Sequence, residues 1–160
     1  MAKAVFLDRD GVINFERGEY TFNLKDFVIN DGVIEALINF QSKGYLLFVI
    51  TNQSGISKGI YTHRHVKNIH DFLTNKLKDS GINIQGIYYC PHHPEQTNCL
   101  CRKPNSLLVE KAIARFDIHP QSSFFIGDKD RDIFAGGSAG LTGILIESNS
   151  SLLELLSVIP

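Results

Sequence analysis

The feature that most constrains this chain is an alternation of short apolar runs with longer helical stripes. Val5-Phe6-Leu7, Leu46 to Ile50, Ile84 to Tyr89, Ser123 to Ile126 and Thr142 to Ile146 are strand-like runs bounded by glycine or polar residues. Such runs fit strands covered on both faces, the usual state of a parallel sheet. Between them, apolar residues return at helical spacing. Gly32 to Ser42 carries Val33, Leu37 and Phe40. Thr62 to Ser80 carries Val66, Ile69, Phe72, Leu73 and Leu77, and Ser106 to Phe116 carries Leu108, Ala112, Ile113 and Phe116. Another helix follows Asp128 and closes near Gly140, and Leu152 to Leu156 forms a short last one. The alternation predicts a doubly wound, Rossmann-like α/β fold on a parallel sheet of about five strands. With 160 residues, one domain spanning residues 1–160 is expected, large enough to bury a core.

In open α/β sheets, ligands bind beyond the carboxyl ends of the strands. Polar residues collect there in this chain. Asp8 and Asp10 leave the first strand two residues apart, which in extended chain points them to one side and turns Arg9 away. Two convergent carboxylates raise one another's pKa unless a cation neutralises them, and Mg²⁺ suits a site of few carboxylate and carbonyl oxygens with positions left for phosphate. An Asx-type turn is the competing reading. Thr51-Asn52-Gln53-Ser54-Gly55 ends the second strand with hydroxyl and amide groups able to meet phosphate oxygens, without a Walker pattern. By itself such a run is more often a plain strand-to-helix connection. Gly127-Asp128-Lys129-Asp130-Arg131-Asp132 resembles a calcium loop only superficially, since Ile133 and Ala139 stand where an EF-hand needs Gly and Glu. Asp128 then ends a strand, with Asp132 one helical turn on. The polar stretch Glu16 to Thr21, with Arg17 and Tyr20, is a candidate substrate loop.

All three cysteines fall between Cys90 and Cys101, together with His92 and His93. Three thiolates and an imidazole suffice for a closed, structural, tetrahedral Zn²⁺ site, and spacing leaves His92 and His93 as alternatives. Arg102 and Lys103 follow directly, so a metal-fixed loop would hold two cations rigidly. His63, His65 and His70 are expected on a solvated helix surface. A formal net charge of -1 with interspersed signs argues against nucleic-acid or anionic-membrane partners. No apolar run approaches about 18 residues. A soluble, cytoplasmic monomer acting on a small molecule is expected, in a compartment that keeps thiols reduced.

These residues, in this order, resemble the haloacid dehalogenase (HAD) superfamily of phosphotransferases over essentially the whole chain. The match consists of Asp-x-Asp-Gly at Asp8 to Gly11, Thr51, Lys103, and Gly-Asp-x-x-x-Asp at Gly127 to Asp132. Asp8-Arg9-Asp10-Gly11, Thr51 to Gly55 and Cys101-Arg102-Lys103-Pro104 are similar, more narrowly, to the histidinol-phosphatase-related branch, which includes phosphatases of heptose bisphosphates. The resemblance implies strand order 5-4-1-2-3, no large cap domain, and zinc on Cys90, His92, Cys99 and Cys101. It implies Asp8 as nucleophile, Asp10 as acid and base with a raised pKa, and Mg²⁺ on Asp8, the Asp10 carbonyl and Asp128. Thr51 and Lys103 would stabilise the phosphoryl group, and Asp132 would support the metal site or Lys103. Arg17, Tyr20, Asn52, Gln53, Ser54 and Arg102 are the expected substrate contacts. The expected substrate is a phosphorylated sugar, a heptose bisphosphate before histidinol phosphate, with Arg102, Lys58 or Arg17 meeting the second anion. A non-catalytic phosphate-binding or interaction module is the reading from another class.

Overall fold

The computed structural model describes residues 1–160. Its strands are β1 (Lys3–Leu7), β2 (Tyr45–Asn52), β3 (Ile84–Cys90), β4 (Phe124–Gly127) and β5 (Thr142–Leu145). The helices are α1 (Val33–Ser42), α2 (His63–Asp79), α3 (Leu107–Phe116) and α4 (Asp130–Ser138). The strands pair in parallel in the order β3-β2-β1-β4-β5, the expected order. The central strand β1 is flanked by β2 and β4, so the ends of these three strands open side by side.

Side chains alternate across β1 with the period of a strand. Val5 and Leu7 face a core built with Ala36, Leu37 and Phe40 of α1, Ile69, Leu73 and Leu77 of α2, and the C-terminal 3-10 turn Leu152–Leu156. Ala4 and Phe6 face a second core with Leu108, Val109 and Ala112 of α3. Phe6 stacks between Phe48 at 5.0 Å and Phe125 at 6.3 Å. Residues 4 to 7 have no exposed surface, which is why a run without polar residues was needed there. On the same side, α4 lies so close to β4 that a Cβ on Gly136 would stand 2.7 Å from that of Phe125.

The stripe of α2 departs from expectation at two positions. Phe72 is 40 % exposed, resting edge-on against Phe27, whereas His70 is 8 % exposed. His70 lies four residues after Val66 and three before Leu73, so the helical spacing itself passes through it. Reading residue type before position put His70 on the surface and Phe72 in the core. None of the connections carries an inserted domain, which leaves the strand ends uncapped. No helix is long and apolar enough to cross a membrane.

Candidate active site

Beyond the ends of β1, β2 and β4 lies a cleft of about 610 Å³ whose lining includes Asp8, Asp10, Thr51 and Asp128. Asp8 follows β1, and its amide continues the sheet pairing by donating to the Ile126 carbonyl at 3.0 Å. Its Oδ1 accepts from the Arg9 amide at 2.7 Å and lies 2.8 Å from Lys103 Nζ. The same ammonium is 2.7 Å from Asp132 Oδ1 and donates to the Ile50 carbonyl at 2.8 Å. Asp132 is thus ion-paired with Lys103, one of its two expected roles. Held between two carboxylates and the Ile50 carbonyl and 1 % exposed, Lys103 stands behind Asp8 and not in the cleft wall. Burial pushes the Asp8 carboxyl up to about 7; Lys103 opposes this, and the Asp132 and Asp10 charges add to it. Asn52 fixes the Lys103 backbone at both ends, accepting from its amide and donating to its carbonyl, each at 3.1 Å.

Asp10 sits in a different environment from the one expected. Arg9 is not turned away: it is 1 % exposed and folds back, so that Nη2 donates to Asp10 Oδ1 at 2.9 Å. Asn14 donates to the same oxygen at 3.0 Å, and Gln53 donates to Oδ2 at 3.0 Å. Burial alone would raise the Asp10 carboxyl. The Arg9 charge and the three donated bonds outweigh it and hold Asp10 below the ordinary carboxylate range. The raised pKa expected of Asp10 is thus found on Asp8. Behind Asp10, the chain of contacts continues: Tyr61 donates to Gln53 Oε1 at 2.6 Å, and Arg9 Nη1 lies 3.3 Å from His70 Nε2.

The carboxylates fit a divalent cation. Oxygens of Asp8, Asp128 and Asp132 lie within 4.8 Å of one another. Asp132 is committed to Lys103 and to the Lys129 amide, which it accepts at 3.1 Å. Asp128 Oδ1, by contrast, is buried with neither a hydrogen-bond partner nor an ion pair, although Oδ2 is met by Ser148 and by Lys129 Nζ. A buried, unpartnered carboxylate oxygen beside a second carboxylate is what a hard cation would complete. Gly11 adopts φ +87°, and a Cβ there would stand 2.3 Å from Asp128 Oδ2, so the motif's glycine makes room for this ligand.

A second ligand set lies in the loop after β3. Cys90, His92, Cys99 and Cys101 each place one donor atom within 4.8 Å of the others, with Cys90 Sγ at 3.6 Å from Cys99 Sγ and 3.0 Å from Cys101 Sγ. His92 Nδ1 is 3.5 Å from Cys90 Sγ and 3.3 Å from Cys101 Sγ. Zn–S bonds of about 2.3 Å in a tetrahedron imply sulfur-to-sulfur edges of about 3.8 Å, close to this arrangement. Burial pushes the Cys90 thiol up, an added reason for a cation to hold it as thiolate. The choice left open by spacing falls on His92. His93 instead joins the cleft wall, its amide donating to Ser57 Oγ at 2.8 Å.

The expected substrate residues divide in position. Tyr20, Asn52, Gln53, Ser54 and Arg102 line the cleft, but both amide protons of Gln53 are occupied by Asp10 and Thr51, and Asn52 braces Lys103. Arg17 is outside the lining; its guanidinium pairs with Asp26 at 3.2 Å and Glu19 at 3.4 Å. Lys58 is also outside, with its ammonium over the Tyr20 ring. Glu16 and Glu19 enter the cleft from the expected substrate loop, and the cleft gains His93, Lys129 and Arg131, which motif reading had not assigned to it. Arg131 lay within the quoted Gly127 to Asp132 motif, and its place three residues after Asp128 was the available clue.

A family model described as HAD-hydrolase-like matches residues 100–157. The D-glycero-beta-D-manno-heptose-1,7-bisphosphate 7-phosphatase of Haemophilus ducreyi is 40% identical over 157 residues, covering 94% of this chain and 86% of the relative. The enzyme of the same name from Helicobacter pylori strain J99 is 42% identical over 151 residues, covering 94% of this chain and 86% of that one. The chain belongs to the family of these HAD-like phosphatases. A solved HAD-like relative, the D,D-heptose 1,7-bisphosphate phosphatase of B. bronchiseptica complexed with magnesium and phosphate, superposes with a TM-score of 0.85 at 28% identity, covering 91% of this chain and 81% of that one. Within the HAD-like arrangement seen here, Asp8 shares the Lys103 ammonium with Asp132, and Asp10 lies in a separate set of donors. One strand end thus carries two carboxylates with opposite proton affinities.

Proposed function

We propose that this protein hydrolyses the 7-phosphate of D-glycero-D-manno-heptose 1,7-bisphosphate through an aspartyl-phosphate on Asp8. The observation that carries the reading is the Asp8–Lys103–Asp132 array, which meets the polar cleft at Asp8 beside the unpartnered Asp128 Oδ1. The heptose bisphosphate substrate is named for relatives about 40% identical over nearly the whole chain.

Asp8 Oδ1 is held by the Arg9 amide and Lys103, which leaves Oδ2 for attack on phosphorus. An ionised carboxylate needs no base, but it is repelled by a phosphate anion. Mg²⁺ held by Asp8, Asp128 and the Asp10 carbonyl would supply neutralisation of that repulsion and alignment of the phosphoryl group. Lys103 shares its charge with the oxygens that become more negative as the bond to the sugar breaks, and the Thr51 hydroxyl donates to another. In the first half, Asp10 gives its proton to the departing sugar oxygen; in the second, it takes a proton from the water that cleaves the acyl phosphate. Free Asp10 is held ionised, and the arriving phosphate charge raises its proton affinity for the first half. The Cys90, His92, Cys99 and Cys101 set, holding Zn²⁺, would fix the loop that delivers Arg102 and Lys103.

Residues 1–160 act as one catalytic domain in this reading, and as a monomer, because the whole cleft is built from one chain. Three free thiols suit the cytoplasm. The test is kcat/KM with Mg²⁺ for the heptose bisphosphate against histidinol phosphate, together with the Asp8→Asn variant. A preference of at least about tenfold for the bisphosphate is expected, equivalent to roughly 1.4 kcal/mol, with loss of turnover and retained fold in Asp8→Asn. Equal turnover of histidinol phosphate would move the substrate assignment, and an active Asp8→Asn would remove the nucleophile. No turnover of any ester would leave a phosphate-binding module.

A further inference from the structure

Two guanidinium groups, Arg102 and Arg131, line the same cleft as Asp8. Arg102 leaves the cysteine loop directly after Cys101 and donates from Nη1 to the His92 carbonyl at 3.3 Å. Arg131 enters from the first turn of α4. Its Nε is buried without a hydrogen-bond partner, and no carboxylate in the chain forms an ion pair with it or with Arg102.

The acids close to Arg131 in sequence are either engaged elsewhere or unpaired with it. Asp132 holds Lys103 and the Lys129 amide, Asp128 is met by Ser148 and Lys129, and Asp130 makes no ion pair. Arg131 is therefore placed against the interests of the free protein. A cation in the first helical turn opposes the helix dipole, an unmet buried donor costs stability, and its charge adds to burial in disfavouring the protonated form of Arg102. An anion between the two guanidinium groups would relieve all three. The reacting phosphate belongs beside Asp8 and Thr51, so a second anionic group on the same ligand is the one placed to supply this relief.

We propose that Arg131, together with Arg102, binds the non-reacting phosphate of a bisphosphate substrate and so determines the preference for a doubly charged ligand. This inference rests on the sugar-bisphosphatase reading and adds to it the residue that selects the second phosphate. Guanidinium groups suit the task because their planar donors meet phosphate oxygens two at a time. The other cations are spent: Lys129 Nζ lies 3.2 Å from both Asp128 and Ser148, and Arg17 is paired outside the cleft. Glu16 and Glu19 remain in the wall as acceptors for sugar hydroxyls.

The experiment compares D-glycero-D-manno-heptose 1,7-bisphosphate with D-glycero-D-manno-heptose 7-phosphate, which departs through the same C7 oxygen and lacks only the second phosphate. Both are assayed with the parent, Arg131→Met and Arg131→Lys. Arg131→Met should lower kcat/KM for the bisphosphate by at least about tenfold, chiefly through KM, and change the monophosphate by less than about twofold. Arg131→Lys should recover part of the loss, since it restores charge without the planar fork. Equal losses on both substrates would make Arg131 a structural residue and overturn the inference. A parental preference for the bisphosphate that survives intact in Arg131→Met would overturn it while leaving the proposed function standing. A parent that turns over the monophosphate better than the bisphosphate would overturn both.

Discussion

His70 should make the protein sensitive to mild acid, and replacing it by glutamine should remove that sensitivity. The ring is 8 % exposed, and its Nε2 lies 3.3 Å from Arg9 Nη1. Arginine can only donate, so Nε2 must accept, and the ring is neutral with its proton on Nδ1. Burial first, and then the Arg9 charge, push His70 down to about 3. In the unfolded chain the ring titrates near 6.5. A base that is harder to protonate when folded stabilises the fold above its unfolded pKa, and that contribution is lost as the pH falls, because the unfolded chain takes up the proton. The loss is about 1.4 kcal/mol per pH unit below 6.5. His70→Gln keeps an acceptor for Arg9 but does not titrate. Urea unfolding of both proteins at pH 7.5, 6 and 5 measures the effect. Protonation of carboxylates and of the cysteine cluster affects both alike, so the difference isolates the ring. Between pH 7.5 and 5 the parent should lose about 2 kcal/mol more than His70→Gln. Parallel stability curves would refute the neutral, buried histidine. Activity supplies an independent reading: His70→Leu should lower kcat where His70→Gln does not, because only the leucine leaves Arg9 without its anchor opposite Asp10.

Gly11→Ala should weaken the proposed Mg²⁺ site, since its Cβ would be driven into Asp128 and φ +87° is strained for alanine by about 1–2 kcal/mol. Kinetics titrated with Mg²⁺ should show a raised requirement that excess metal partly restores; an unchanged requirement would contradict the contact. Asp132→Asn should lower kcat by at least about tenfold at a stability cost of about 1–3 kcal/mol, because Lys103 loses a charge partner while keeping Asp8 and the Ile50 carbonyl. Wild-type kcat in that variant would show that Lys103 needs no positioning by Asp132. Metal analysis of protein purified without chelator should find about one zinc per chain, and Cys99→Ser should lower zinc content, stability and activity together. A zinc-free protein of full activity would count against the loop's structural metal.

Much of the molecule was legible without coordinates because the relevant information is local. Runs such as Val5 to Leu7 specify buried strands, their alternation with helices specifies a parallel sheet, and the polar residues that end each run mark the ligand edge. The order of Asp8, Thr51, Lys103 and Asp128 along the chain was enough to place them together, as was the cluster of three cysteines. What failed was a set of judgements about the surroundings and partners of individual side chains. Arg9 was expected to turn from the site, His70 to lie in solvent, Arg17 to read the substrate and Asp10 to have a raised pKa. Arg9 and His70 are 61 residues apart, and their meeting depends on how α2 packs against the loop after β1. Residue spacing decides which face of an element is buried, and thus the sheet and the position of its site. Only the packing of those faces decides which charges end up in contact, and in a low-dielectric interior those contacts determine that Asp8 is harder to ionise, that Asp10 stays ionised, and that Arg131 is left without an acid partner.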